Sequence, residues 1–186
     1  MKFPSTLIST LSLLLALSSS PLHADEHAMH KEHEEHGVHE HGAATLSLAV
    51  GEAGVDIMLE SPAANIVGFE HAATTDEDKQ MLADAQKKLE AGADLFAFNT
   101  EAGCTLNSAE VVSALLGNTN TEKHDDHSDM DVAWAFTCTA PAALTEVTTK
   151  LFAAFPDGFE HLKVEWVTDK SASAVALEKD DTIKLN

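Results

Sequence analysis

ATLSLAV at residues 44–50 and VDIML at residues 55–59 are the two segments that decide the fold of this chain. In each segment apolar side chains alternate with polar or small ones, which places the apolar side chains on one face of an extended strand. GEAG at residues 51–54 separates the two segments and supplies the glycines typical of a tight turn. The pattern predicts a β-hairpin with one apolar face, which the rest of the domain must cover.

More strand-like segments follow along the chain. They are Leu95–Phe98, Thr105–Leu116, Asp131–Cys138, Leu162–Trp166, Ala174–Leu177 and Ile183–Leu185. We predict that the second and third of these pair as a hairpin, because residues 131–138 alternate cleanly, and that the last two form a closing hairpin. A helix capped by Asn107 and Glu110 is the alternative for residues 105–116.

Two segments have the period of an amphipathic helix. In the first, Thr74 and Glu77 can form a capping box and Gly92 lies where the helix should end. The second begins at Pro141 and ends at Pro156. The apolar positions that support these helices are Met81, Leu82, Ala85 and Leu89, and then Leu144, Val147, Leu151, Phe152 and Phe155. Because strands outnumber helices and the connections are short, the predicted fold class is α+β, an antiparallel β-sheet with about two packed helices.

The first 24 residues have the features of a secretory signal peptide. Lys2 precedes an apolar run that is too short to span a membrane, and Leu22-His23-Ala24 is an acceptable cleavage site. We therefore expect export to the periplasm and cleavage after Ala24. The expected organisation is a signal peptide at residues 1–24, a histidine-rich tract at residues 25–42 and a single domain at residues 43–186.

The chain has two cysteines, Cys104 and Cys138. In an exported protein an even number of cysteines is typical of a disulfide, and the predicted hairpin brings these two together. The alternative is a pair of thiolate zinc ligands, which is less favoured because C-x-x-C spacing is missing.

Acidic side chains dominate the composition. The chain has 31 Asp and Glu residues against 11 basic ones, a formal net charge of −20, and it contains no arginine. A chain of this kind is a poor candidate for binding nucleic acid or anionic lipid. It should attract cations.

Two polar segments concentrate the histidines. The tract at residues 25–42 contains His27, His30, His33, His36, His39 and His41, and an insert at residues 117–131 contains His124, Asp125, Asp126, His127 and Asp129. Imidazole binds zinc, copper, nickel and iron, and a short histidine-rich tract is typical of metal binding. The alternative for the tract is a solvated acidic tail. Neither segment has enough apolar side chains to fold alone, so we predict that both are disordered without a ligand.

Side chains that adjoin the predicted domain are the best candidates for one ordered site. Zinc held by protein alone has about four nitrogen, oxygen or sulfur ligands. The candidate ligands of the ordered site are His41, His71, His127 and Asp129, with His36, His39 and His124 for looser sites and Glu70 beside His71. The tetrapeptide Gly-Phe-Glu-His ends at both His71 and His161, and for His161 we favour a partly exposed residue at the start of a strand.

Several motifs occur in a distinctive order. They are HEHGA at 39–43, SPAANIVGFEH at 61–71, AGC at 102–104, HSD at 127–129 and FTC at 136–138. This order resembles the ZrgA-like periplasmic zinc-binding proteins of Gram-negative bacteria over essentially the whole mature chain, and SPAANIVGFEH is its most specific part. The resemblance implies a periplasmic zinc-uptake component that captures Zn(II) and works with an inner-membrane zinc importer.

The predicted function is therefore zinc capture and delivery without catalysis, by a protein that we expect to be a monomer. A zinc-dependent periplasmic enzyme is the first alternative, with Glu70 as its candidate base, although H-E-x-x-H and G-x-S-x-G are both absent. A copper- or nickel-binding protein of the same build is the second, because imidazole accepts those ions as well.

Overall fold

Strand pairing organises the structure, a computed structural model that describes residues 40–117 and 128–185. In chain order its strands and helices are β1 (Ala43–Val50), β2 (Gly54–Pro62), α1 (Ala64–Val67), α2 (Asp76–Glu90), β3 (Phe96–Phe98), β4 (Cys104–Ser113), β5 (Asp129–Cys138), β6 (Glu146–Thr149), α3 (Leu151–Ala154), β7 (His161–Val167), β8 (Ala172–Leu177) and β9 (Thr182–Lys184). The predicted signal peptide, the histidine-rich tract as far as His39 and residues 118–127 of the insert lie outside the described residues.

Two sheets form the described part of the chain, which lies within one compact unit. The large sheet has the order β4-β5-β2-β1-β7-β8, and the small sheet has the order β3-β6-β9. Every pair among these strands is antiparallel except β1 with β7, which run parallel. The α+β prediction is therefore confirmed, since a mainly antiparallel sheet dominates and the helices are few.

One face of the large sheet builds the core. Leu46 of β1, Ile57 of β2 and Trp134 of β5 are at most 1% exposed on that face. Phe96 of β3 packs edge-on against the Trp134 ring, with 5.0 Å between the centroids, so the small sheet covers the same face. Burial of one such side chain contributes about 1.5–3 kcal/mol to folding.

Helix α2 packs beside this core, one residue later than predicted. Its N-cap is Thr75, whose hydroxyl accepts from the Asp78 amide at 3.0 Å while the Asp78 carboxylate accepts from the Thr75 amide at 3.3 Å. Near its end, Leu89 O accepts a 2.7 Å hydrogen bond from the Trp134 indole. In the part of the chain that the structure describes, no helix is long and apolar enough to cross a membrane.

The helix predicted from Pro141 to Phe155 is wrong. A single 3-10 turn at Pro141–Ala143 is followed by β6 and then by the one-turn helix α3. Two of the residues that suggested a helix face, Leu144 and Val147, are buried, but Val147 is buried as the middle of a small sheet. The β-branched run in EVTT at 146–149 favours a strand once β3 and β9 are available on either side.

The closing hairpin predicted from the last two strands is also wrong. β8 pairs with β7 in the large sheet, whereas β9 pairs with β6 in the small one. β8 thus pairs with the longer strand that precedes it, and β9 pairs with a better buried strand; local alternation does not specify either choice.

The hairpin of β4 and β5 and its disulfide are as predicted. Cys104 and Cys138 are directly opposite each other in the register and are bonded through their sulfurs. Both cysteines of the chain are thus used in the disulfide rather than as thiolate ligands.

Candidate metal site

The described ends of the two segments that were predicted to bind metal lie at one edge of the large sheet, where strands begin and end. β1 and β7 both begin there because they run parallel, with Ala43 opposite His161. β2 ends and β5 begins at the same edge, with Pro62 opposite Asp129. We call this the site edge and define it by Ala43, Pro62, Asp129 and His161. The two described ranges of the chain begin at residues 40 and 128, and both of these residues lie beside the site edge.

At the site edge two side chains of types that can bind zinc, His41 and Glu70, are in contact. His41 Nε2 lies 3.2 Å from Glu70 Oε1. The Glu70 side chain is 10% exposed and the imidazole is 66% exposed, so a buried carboxylate meets an imidazole that solvent reaches. The sequence suggested that Glu70 would act together with its neighbour His71, but in the structure the Glu70 carboxylate contacts His41.

The backbone that carries His41 is fixed from the side of β7. Gly42 O accepts from the Glu160 amide at 2.7 Å and from the His161 amide at 2.9 Å. Gly42 has a φ of +86°, and a Cβ at this position would lie 3.0 Å from Glu160 Cγ. A glycine is therefore required directly after His41, for its backbone conformation and for the space it leaves.

The same backbone is fixed from the other side by Asn65. Asn65 is buried in α1, its Oδ1 accepts from the Gly42 amide at 2.7 Å, and its Nδ2 donates to Ala43 O at 2.9 Å. Its Nδ2 also donates to Ser61 Oγ at 3.2 Å. The segment 63–71, whose sequence predicts irregular structure, thus contains a short helix that ends at Gly68 (φ +81°) and leads directly to Glu70.

Asn65 is the residue at this site whose role sequence reasoning missed. The signal was present in AANIVGF at 63–69, where one amide side chain stands within an apolar run. A buried amide must satisfy its donors and its acceptor inside the protein, which makes it a candidate for holding backbone.

His71 lies directly after Glu70 and is exposed. Its Nδ1 is 3.1 Å from Ala72 O, and its ring stacks on Phe69 with 4.9 Å between the centroids. If Nδ1 donates to that carbonyl, Nε2 is the nitrogen that a metal ion can use. The pKa of Asp78 is held below its ordinary value, chiefly by the hydrogen bond from the Thr75 hydroxyl, with a smaller contribution from His71.

Acidic side chains accumulate where β5 begins. Asp129 is exposed and its carbonyl accepts from Ser113 Oγ at 2.6 Å. Glu60 and Asp131 are opposite each other on β2 and β5. The pKa of Asp131 is raised, first by burial and then by the charges of Asp129 and Glu60. These carboxylates destabilise one another, so the local potential favours a cation.

The structure brings together only some of the predicted ligands. The structure brings His41 and Glu70 together, and it places Asp129 at the same edge and His71 directly after Glu70. His36, His39, His124 and His127 lie outside the described residues, so their part in a site stays a prediction. Within residues 40–117 and 128–185, no group of three or more His, Cys, Asp or Glu side chains is arranged to hold a metal.

His161 is an exposed residue at the start of a strand, as predicted. It is the first residue of β7, and its Nδ1 lies 3.9 Å from Glu178 Oε1. Both of these side chains are well exposed, at 59% and 80%. They form a second, looser histidine–carboxylate pair.

Comparison with known proteins supplies a family for this arrangement. Residues 38–184 match a family described as ZrgA family zinc uptake protein. The match covers β1 through β9 and includes both His41 and Glu70. No curated protein matches the chain in sequence.

Proposed function

Since the chain belongs to the ZrgA family of zinc uptake proteins, as its match over residues 38–184 shows, we propose that it captures Zn(II) at His41 and Glu70. The other ligands in this proposal come from the histidine-rich segments that join the fold at the site edge, with His39, His36, His127 and His124 as candidates. The protein then passes the ion to an inner-membrane uptake system.

The observation that carries this proposal is the 3.2 Å contact between His41 Nε2 and Glu70 Oε1. Two donors on one tetrahedral zinc ion, each at its usual bond length, are about 3.3 Å apart. The spacing of the pair is therefore compatible with two ligands of one zinc ion. A carboxylate beside the imidazole also lowers the energy of an approaching dication.

Protons compete with zinc for this site. Neutral imidazole is the form that binds the metal, so affinity should fall as the pH drops through the ordinary histidine range near 6.5. Between pH 7.5 and 5.5 a site with histidine ligands should weaken by at least about tenfold. This dependence provides a route to release in a compartment that follows the external pH.

The periplasm is the compartment in this proposal. Two observations support it: the N-terminal 24 residues have the composition of a secretory signal peptide, and the disulfide between Cys104 and Cys138 is of a kind that persists outside the reducing cytoplasm. An uptake protein in that compartment needs a membrane importer to receive its ion.

We propose binding without turnover. A catalytic zinc needs an open coordination position and a general base beside it. Glu70, the candidate base, lies 3.2 Å from His41 Nε2 and is taken here as a ligand. A hydrolase screen of the zinc-loaded protein tests this, since zinc-dependent turnover would overturn the proposal of binding without catalysis.

Calorimetric titration of the exported full chain with zinc tests the proposal. His41→Ala and Glu70→Gln should each weaken the tightest site by roughly tenfold or more. The matched control is Glu146→Gln, which removes a carboxylate of the small sheet that is paired with Lys184 and should leave that affinity unchanged. Wild-type affinity in His41→Ala would refute the assignment. The same titration with copper(II) and nickel(II) decides the ion, because imidazole binds all three.

A further inference from the structure

We infer that Asn65 is a positioning residue for the zinc site: its carboxamide holds the backbone at Gly42 and Ala43 so that His41 faces Glu70. The inference rests on the proposed function, because it concerns the same pair. Asn65 itself does not contact the metal in this proposal. It acts through the backbone that carries a ligand.

Both polar atoms of the Asn65 carboxamide have hydrogen-bond partners. Its one oxygen accepts from the Gly42 amide at 2.7 Å, and its nitrogen donates to Ala43 O at 2.9 Å and to Ser61 Oγ at 3.2 Å. The backbone groups fix which way the amide points, because an N–H must meet the oxygen and a C=O must meet the nitrogen. The residue is 4% exposed, so water is a poor substitute for any of these partners.

Asn65 joins two segments that have no local reason to meet. His41 and Glu70 are 29 residues apart in the chain, and the 3.2 Å contact requires their backbones to keep a fixed relation. Asn65 lies in α1 on the same short segment as Glu70, with the end of α1 and Gly68 between them. One segment therefore supplies both the carboxylate and the bonds that hold the chain next to the imidazole.

A third segment locks Asn65 in place. Gly158 lies so close to the Asn65 backbone that a Cβ there would come 1.8 Å from Asn65 O. From the same segment, the amides of Glu160 and His161 bond Gly42 O. Gly42 is thus held by Asn65 through its N–H and by the start of β7 through its C=O, which leaves the His41 backbone little freedom.

A purely structural role for Asn65 predicts a different result from a positioning role. Loss of a structural residue lowers stability and leaves the zinc affinity of the folded protein unchanged. Loss of a positioning residue weakens zinc binding and also removes the benefit of His41. A double-mutant cycle separates the two roles.

The chain offers a matched control in Asn99. Its Oδ1 accepts from the Thr145 amide at 3.0 Å and its Nδ2 donates to Ala143 O at 2.9 Å, the same two kinds of bond at a distant place. We expect Asn65→Ala to weaken the tightest zinc site by about tenfold. Asn99→Ala should change that affinity by less than about twofold, because its bonds do not touch the His41 segment.

The cycle is completed with His41→Ala alone and together with Asn65→Ala. The double variant should bind zinc about as weakly as His41→Ala. Wild-type affinity in Asn65→Ala, or losses that multiply in the double variant, overturn the inference. If His41→Ala binds zinc normally, the proposed function fails; if His41→Ala weakens binding and Asn65→Ala does not, only the positioning role fails.

Hydrogen exchange on the wild-type protein gives a test that does not depend on a variant folding. The Gly42 amide should be protected, and saturating zinc should slow its exchange at least threefold, because zinc binding and the Gly42–Asn65 bond stabilise each other. The Thr145 amide, held by Asn99, serves as the control and should not respond. An unprotected Gly42 amide, or equal slowing at both amides, contradicts the inference.

Discussion

Removing the disulfide should lower the stability of the protein without changing the zinc affinity of the proposed site. The perturbation is Cys104→Ala with Cys138→Ala. The bond closes a chain segment with a sequence separation of 34, and the loop-entropy relation gives about 4 kcal/mol for a loop of this length. For a domain of about 150 residues this corresponds to a fall in Tm on the order of 10 °C.

Zinc affinity should be unchanged because the disulfide and the site edge lie at opposite ends of β5. β5 begins with Asp129 at the site edge and ends at Cys138, and ten residues of extended strand span about 30 Å. At that distance a small adjustment around the missing sulfurs should not reach the His41–Glu70 pair.

Urea denaturation of wild type and variant measures the first part, and zinc calorimetry on the folded variant measures the second. Reduction of the wild type is the control: it should reproduce the loss of stability, and the reductant should leave the variant unaffected. A stability loss below about 1 kcal/mol would contradict the loop-entropy argument. A zinc affinity more than threefold weaker in the folded variant would mean that the cysteines and the site edge are coupled.

Three smaller predictions concern single side chains. Asp131→Asn should stabilise the protein at pH 7 by at most about 1 kcal/mol. The folded state raises the pKa of this carboxyl, so its charged form is disfavoured there, and the gain should vanish as the pH falls below the ordinary value of 3.8; urea titrations at pH 7 and 3 measure it, and an equal gain at both would contradict the cause. Trp134→Phe should cost about 1–3 kcal/mol because Leu89 O loses its 2.7 Å partner while staying buried, and a cost near zero in thermal unfolding would mean that water replaces the indole. Gly158→Ala should destabilise by about 1–3 kcal/mol because its Cβ meets the Asn65 carbonyl; Gly51→Ala, where nothing lies within 4 Å, is the control and should change little.

Much of the fold follows from local pattern. The alternation at 44–50 and 55–59 places Leu46 and Ile57 on a buried face, as predicted, because a strand has a side-chain period of two. The capping threonine and apolar stripe predict α2 to within one residue. These features depend on residues a few positions apart in the sequence, and such short-range relations are visible as periodicity.

Strand partners are decided by the whole domain. β1 pairs with β7 across more than a hundred residues, and β6 forms where a helix period was present. Each strand offers the same backbone donors and acceptors, so its hydrogen bonds do not select a partner. Burial of side chains such as Val147 selects it, and burial depends on every other element.

The candidate site divides in the same way. From the sequence alone come the chemical types, namely imidazoles and carboxylates concentrated before and within a sheet domain of an acidic chain. Only the tertiary structure decides that Glu70 contacts His41 rather than His71, and that Asn65 bonds the backbone of Gly42, next to His41. The reason is physical: residue type determines which ion can be bound, whereas a contact of 3.2 Å between segments 29 residues apart exists only after the chain has folded around it.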